Sequence, residues 1–393
     1  MSEPDQRMLA VEKTHEEVSM ATLLSQILQI SEAQKENPMH MVQRYMRVAM
    51  GPGKLSPDDF MRLRLFDSAS VQGASLMEFV GAKRYRDICI TVNYRNDWMG
   101  MLSNKVASSS YLAYYGLPGV ATKAVYMPRL GRGSEAPVLG SAAELDAFLL
   151  DINNYPLFCK PIESQNSLGA AALMKVLPAT RELVASDGAS ISIDTFIAEI
   201  TAQYPEGYLF QALALAHPAI SAVSGGRLAT VRFFTIVAED GPHLFRACMK
   251  IPAGENAADN YWREGNLLAQ LDMETGRIMR VTSGHGLKAE EHTTHPDTGA
   301  ALIGFVHPQW QEMRALALRG AALMHQVSMI GWDIACTAKG PVIIEMNELP
   351  DSFLMQYADR RGLLDDTFNR FVAFQTKNRD VYLAELRSRG KHI

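Results

Sequence analysis

Asp333, Glu345 and Asn347 are the residues of this chain whose types and spacing most plainly could do chemistry. They lie in the run Gly331-Trp-Asp-Ile-Ala-Cys-Thr-Ala-Lys-Gly-Pro-Val-Ile-Ile-Glu-Met-Asn347, which reads as a β-hairpin. Two apolar runs, 330–337 and 341–346, flank Ala338-Lys339-Gly340, a three-residue connection with Gly where a left-handed residue is wanted. If Thr337 lies across from Pro341, Asp333 lies across from Glu345, and period-two alternation puts Asn347 on the same face. Like carboxylates directly opposed repel each other. A bound Mg²⁺, a hard cation that takes oxygen ligands, turns the same arrangement into a favourable one. Trp332, Ile334, Val342, Ile344 and Met346 then form the opposite face, which reads as core and weighs against a solvated hairpin carrying acids by chance.

Several cations could serve an anionic ligand near such a site. Tyr155-Pro-Leu-Phe-Cys-Lys160-Pro-Ile-Glu-Ser-Gln-Asn-Ser-Leu-Gly169 reads as a strand ending in Lys-Pro, a small-polar loop, and then a second strand over 170–176. An ammonium at the strand edge and backbone amides in the turn suit phosphate oxygens, with a surface hairpin as the competing reading. Asn104-Lys105 opens a short helix closed by Gly116 and stopped by Pro118. A lysine there opposes the helix dipole, so a distal anionic partner for Lys105 competes with simple exposure. Arg232 and Lys250 lie on strongly β-prone runs, where an unpaired buried cation is costly; each should reach solvent or meet an anion. The polar segments 255–265, with Asp259, Asn260 and Arg263, and 283–296, with His285, His292 and His295, are candidates for an acceptor site. The histidine spacing matches no closed zinc ligand set.

The elements that must position these residues are set within wide limits by composition. At 393 residues the chain exceeds one ordinary domain and suggests two or three packed lobes. An apolar content of 47% with 21% charged residues is that of a globular protein with a sizeable core. A net charge of −5 argues against a dominant role on nucleic acid. Cys89, Cys159, Cys248 and Cys336 are far apart in apolar contexts, so reduced core thiols are expected. No apolar stretch approaches the roughly 20 residues needed to cross a bilayer. Glu3, Asp5 and Arg7 stand where a signal peptide would need its apolar core, and the expectation is a cytoplasmic protein. The first ninety residues look helical: Met8 to Gln34 carries apolar residues at helical spacing, and Ser56-Pro57-Asp58-Asp59 is a capped helix start. That region reads as a packing or dimerisation lobe, which leaves a homodimer open. From Leu102 onward short helices and strands alternate, as in α/β or α+β lobes.

Taken in order, these residues resemble the ATP-grasp superfamily, with a D-alanine:D-alanine ligase-like core. The pattern runs from a lysine before a helix ending Gly-Leu-Pro, through a Lys-Pro strand and its loop, to an Asp and a Glu-x-Asn pair. Gln211-Ala-Leu-Ala-Leu-Ala-His217-Pro218, Leu228-Ala-Thr-Val-Arg232 and the hairpin are similar to the sugar-transfer-associated ATP-grasp subgroup. The resemblance covers about residues 95 to 355. It implies an α+β, ATP-grasp fold whose two α+β lobes enclose Mg-ATP. A helical N-terminal region would occupy 1–90, the pre-ATP-grasp segment and first lobe 91–210, and the second lobe with C-terminal helices 211–393.

The same resemblance implies that Lys105 and Lys160 neutralise α- and β-phosphate charge beneath a 164–169 loop containing Ser167 and Gly169. Gln211, Ala212 and Leu213 would form the adenine hinge, with His217 a candidate ribose contact. Asp333, Glu345 and Asn347 would hold Mg²⁺, Lys250 would lie near the γ-phosphate, and Arg232 near the transferred phosphoryl group or an acyl phosphate. Asn104 departs from the usual Asp before the lysine, and Gln165 from the loop glycine. The implied function is an ATP-dependent ligase that activates a small-molecule carboxylate as an acyl phosphate and joins it to an amine or other nucleophile. The alternatives are a kinase acting on a hydroxyl, for instance of a sugar, and a non-catalytic ATP-binding factor of glycan machinery.

Overall fold

A computed structural model describes residues 18–67, 71, 75–128, 136–163, 169–256 and 258–389. Two seven-stranded sheets dominate it. The first holds Thr122–Tyr126 (β1), Val138–Leu139 (β2), Leu157–Pro161 (β3), Ala171–Leu177 (β4), Glu182–Ala185 (β5), Ser190–Ser192 (β6) and Tyr208–Ala212 (β7), in the order β2-β1-β7-β3-β4-β5-β6. Helices Ala142–Leu150 and Ile193–Gln203 cover it, burying Leu145, Leu149, Phe196 and Ile200 against Leu157, Leu173 and Phe210.

The second sheet holds Thr230–Ala238 (β8), Gly241–Ile251 (β9), Leu267–Leu271 (β10), Ile278–Ser283 (β11), Glu290–Glu291 (β12), Met329–Thr337 (β13) and Gly340–Asn347 (β14), in the order β12-β11-β10-β9-β8-β13-β14. Its central strands are apolar on both faces because both faces are covered. Alternation sends Phe233 and Met249 to one core, beneath helix Trp310–Leu323, and Phe234 and Cys248 to another. Trp332 packs so closely on that helix that a Cβ on Gly320 would lie 2.7 Å from its ring. The core on the other face is shared with N-terminal helices Met20–Gln34, Pro38–Met50, Pro57–Arg62 and Ala82–Val92, and with the C-terminal helix Asp366–Ser388. Ser56 and Asp59 close a capping box on the third of these helices, as the sequence predicts. Of the expected 8–34 helix, residues 8–17 lie outside the described residues.

The β13–β14 hairpin corrects one expectation. Thr337 pairs with Gly340 and Cys336 with Pro341, one residue out of the expected register, so the connection is only Ala338-Lys339. Gly340, with φ 116°, opens β14. A bulge between Ile343 and Glu345 then restores the Asp333–Glu345 pair. It also changes which residues reach the core: Ile343 is buried, whereas Val342 and Ile344 are half-buried. Trp332, Ile334 and Met346 are buried as expected.

Backbone bonds join the second sheet's hairpin to segments that flank the first sheet, Ile343 donating to Pro118 O at 2.8 Å and His217 to Cys336 O at 2.8 Å, and Lys105 donates to Ile162 O, just after β3, at 3.3 Å. Leu102, Leu112 and Leu117, which precede the first sheet, pack into the second sheet's core. All four cysteines are buried and unpaired. No helix among the described residues is long and apolar enough to cross a membrane.

Candidate functional site

A cleft of about 1920 Å³ runs between the sheets and is lined by Lys105, Lys160, Arg232, Lys250, Asp333 and Glu345. Each of these side chains is positioned by a separate element. Asn104 caps helix Lys105–Tyr114, its Oδ1 accepting from Val106 N at 3.1 Å and Ala107 N at 3.0 Å, which fixes Lys105 as the first helical residue. Lys105 Nζ lies 3.7 Å from Glu345 Oε1, an anionic partner of the kind its position calls for. Lys160 projects from β3 and is 7% exposed. Burial is the largest influence on it and lowers its pKa; Glu345 opposes this, Lys105 adds to it, and Asp333 opposes it.

Across the cleft, Asp333 on β13 lies between Glu345 on β14 and Arg232 on β8. Arg232 grips it with both prongs, Nε to Oδ1 at 2.7 Å and Nη2 to Oδ2 at 2.5 Å, and Lys250 Nζ reaches Oδ2 at 3.1 Å. Burial pushes the Asp333 pKa up, but the charges of Arg232 and Lys250 outweigh it and hold the carboxyl well below the usual range. The anion that Arg232 and Lys250 require is therefore Asp333 itself. Nothing local in the sequence signals this pairing, because it depends on the long-range register of β8 against β13.

Asp259 is a further carboxylate whose role the sequence left open. It accepts from Thr230 N at 2.8 Å and Thr230 Oγ1 at 2.5 Å, and lies 3.6 Å from Lys250 Nζ. On this part of the cleft wall four cations, Lys105, Lys160, Arg232 and Lys250, gather around three carboxylates, a local concentration of positive charge that a polyanion can use. Asn347 also lines the cleft; its Nδ2 donates to Gly331 O at 3.3 Å, and among the described residues no donor engages its Oδ1. No group of three or more His, Cys, Asp or Glu side chains gathers as a metal cluster among the described residues. The donor set of Asp333, Glu345 and Asn347 is hard oxygen throughout, which fits magnesium, although Asp333 is held by Arg232.

In the segment expected to form the hinge, the amide of Ala212 donates to Ala121 O at 2.9 Å and that of Leu213 to Pro156 O at 3.2 Å, so neither amide remains for a base. Gln211 is buried, with Nε2 3.5 Å from Val120 O. His217 caps helix Pro218–Ser224 by accepting from Ala219 N, a structural role that does not leave its Nδ1 for a ribose. Ser167 lies outside the described residues. Gly169, at the end of that loop, has φ 68°, and an added Cβ would collide with Tyr204 and Pro161. The candidate histidines serve three separate places: His285 packs on Trp262 and Phe353, His292 shares a 2.7 Å bond with Ser283 Oγ, and buried His295 meets Pro252 O at 2.9 Å.

The family model described as sugar-transfer associated ATP-grasp matches residues 101–370. No curated protein sequence matches the chain. Among solved structures, the D-alanine-D-alanine ligase from Coxiella burnetii matches at 11% identity and a TM-score of 0.43, over 73% of this chain and 60% of that one. The D-alanine--D-alanine ligase from Bacillus anthracis matches at 12% and 0.39, over 72% and 70%. An N5-carboxyaminoimidazole synthase from Aspergillus clavatus, in complex with ADP and 5-aminoimidazole ribonucleotide, matches at 11% and 0.35, over 69% and 51%.

Proposed function

Because the chain belongs to the sugar-transfer associated ATP-grasp family, we propose that it is an ATP-dependent ligase that activates a carboxylate as an acyl phosphate and passes the acyl group to an amine or other nucleophile. The observation that carries this reading is the cluster of four cations in the cleft, where Lys105, Lys160, Lys250 and Arg232 surround a face of oxygen donors. In phosphoryl transfer the protein has little covalent chemistry to do, and positioning with charge stabilisation dominates. Lys105 and Lys160 hold the inner phosphates, and the buried position of Lys160 strengthens that attraction because few waters screen it. Asp333, Glu345 and Asn347 would hold magnesium, which when bound would neutralise charge on the phosphate oxygens. Lys250 stands beside Asp333 and is the cation for the terminal phosphoryl group. Arg232, held beside Asp333, is the guanidinium that would stabilise charge developing on the acyl phosphate.

The test is to measure ADP and free phosphate with panels of carboxylates and amines added singly and together. ADP and phosphate that appear only with both substrates are expected. ADP formed without free phosphate would replace this reading with the kinase, and binding of nucleotide without turnover would replace it with the ATP-binding factor.

A further inference from the structure

The reading above leaves two cations of the cleft, Arg263 and Arg86, without a task. Arg263 lines the cleft, is half-buried, and has no carboxylate or carbonyl partner for its guanidinium among the described residues. Two other arginines of the cleft wall differ: Arg232 is clasped by Asp333, and Arg227 pairs with Asp297 at 2.5 Å. Burial without a counter-charge also holds the Arg263 pKa below the ordinary arginine value. A guanidinium taken partly out of water without a protein partner loses part of its hydration, and an incoming anion offsets that loss.

The backbone around Arg263 is held in place. Its amide donates to Asn260 O at 3.0 Å. The neighbouring Trp262 donates through Nε1 to Asp351 Oδ2 at 2.9 Å, stacks near Phe353, and lies under the Arg62 guanidinium at 4.1 Å. Asp259, four residues earlier, is bonded to Thr230 beside Lys250. These contacts put Arg263 on the Lys250 and Asn347 side of the cleft, away from the hinge. Helix Ala82–Val92 supplies a wall of the same cleft through Tyr85, Cys89 and the exposed, solvated Arg86. Four acids of the cleft wall are already engaged, Asp259 by Thr230, Asp351 by Trp262 and Phe353 N, Asp297 by Arg227 and Glu348 by Ser103, while Glu255 and Glu264 are exposed to solvent.

The geometry points to an anion-recognition subsite, built on Arg263 with Arg86 at its mouth, that selects a substrate bearing a carboxylate or phosphate group beyond the atoms that react. This rests on the nucleotide occupying the Lys105 and Lys160 side, as proposed above. It gives the helical N-terminal region a part in substrate choice, because one wall of the subsite is its fourth helix.

The experiment titrates inorganic phosphate, and separately acetate, into protein saturated with a non-hydrolysable ATP analogue and magnesium, by calorimetry. Wild type, Arg263→Ala, Arg263→Gln and Lys160→Ala are compared, with melting curves to show that each is folded. One of the two anions is expected to bind wild type, and both Arg263 variants to weaken it by about tenfold or more, the strength of a charge-assisted hydrogen bond. Whichever anion binds identifies the group recognised. Affinity for the analogue should not change in the Arg263 variants. Equal anion binding in wild type and Arg263 variants, or no anion binding to the loaded wild type, overturns the subsite. If the analogue itself fails to bind, the nucleotide reading falls; a phosphate site lost in the Arg263 variants and kept in Lys160→Ala would still support the subsite.

Discussion

At the scale of single residues, three carboxylates, Asp333, Glu345 and Asp259, lie among the four clustered cations of the cleft. Lys160 shows what that does to one group. Burial disfavours its ammonium, and the nearby Lys105 adds repulsion that Glu345 and Asp333 only partly relieve. Phosphates arriving in the cleft favour the charged form, so nucleotide binding raises the Lys160 pKa. The sign follows: affinity is full below the pKa of Lys160 in the nucleotide-free protein and is lost as pH rises through it. That loss should come at lower pH than the value of about 10.4 for an ordinary lysine. Calorimetric titration of ADP with magnesium between pH 7.5 and 10, as an order-of-magnitude range around these values, should show it in wild type. Lys160→Arg, which stays charged, should flatten the profile. Identical profiles for the two proteins would remove Lys160 from the phosphate site.

At the scale of elements, what could be read in advance was whatever repeats locally. The hairpin from 330 to 347 was legible because alternation, a turn glycine and three oxygen donors coincide within a short span, and the Asp333–Glu345 pairing is present. Its bulge was not legible. One extra residue at Ile344 costs little in sequence pattern yet decides that Ile343 is buried and Ile344 only half-buried. The Arg232–Asp333 clasp and the engagement of Asp259 were hidden for a different reason, since they join strands far apart in the chain. The helix that carries Lys105 offers a local test. Asn104 bonds two amides of its first turn, so Asn104→Ala should cost about 1 kcal/mol of stability and loosen Lys105. Asn104→Asp keeps the acceptor and adds a charge that favours the helix N-terminus. Melting curves and ADP affinity should both fall for Asn104→Ala and hold for Asn104→Asp. If Asn104→Ala binds ADP as wild type does, the cap does not position Lys105 for nucleotide.

At the scale of the molecule, the helical N-terminal region is built into the second lobe. The sequence offered a packing or dimerisation role, and the packing is plain: Phe60, Phe79 and Val80 share one core with Phe234, Phe245, Phe368 and Phe371. Gln356 bridges both backbone groups of Val80, accepting from its N at 2.8 Å and donating to its O at 2.9 Å. Leu364 N donates to Glu78 O at 2.8 Å, and Gly362 comes so close that a Cβ there would overlap the backbone of Glu78 and Phe79. Because backbone, not a flexible side chain, stands in the way, Gly362→Ala must push the two segments apart. Overpacking of this kind costs about 1–3 kcal/mol. If the region and the lobe form one cooperative unit, hydrogen exchange in this variant should speed up together in the helices of residues 38–92 and in β8 and β9, which bury the other side of the same core. A separate appendage would behave differently: exchange would rise in residues 38–92 alone, and β8 and β9 would keep their wild-type protection. That outcome would also detach helix Ala82–Val92 from the cleft as a fixed wall, and with it the part assigned to Arg86.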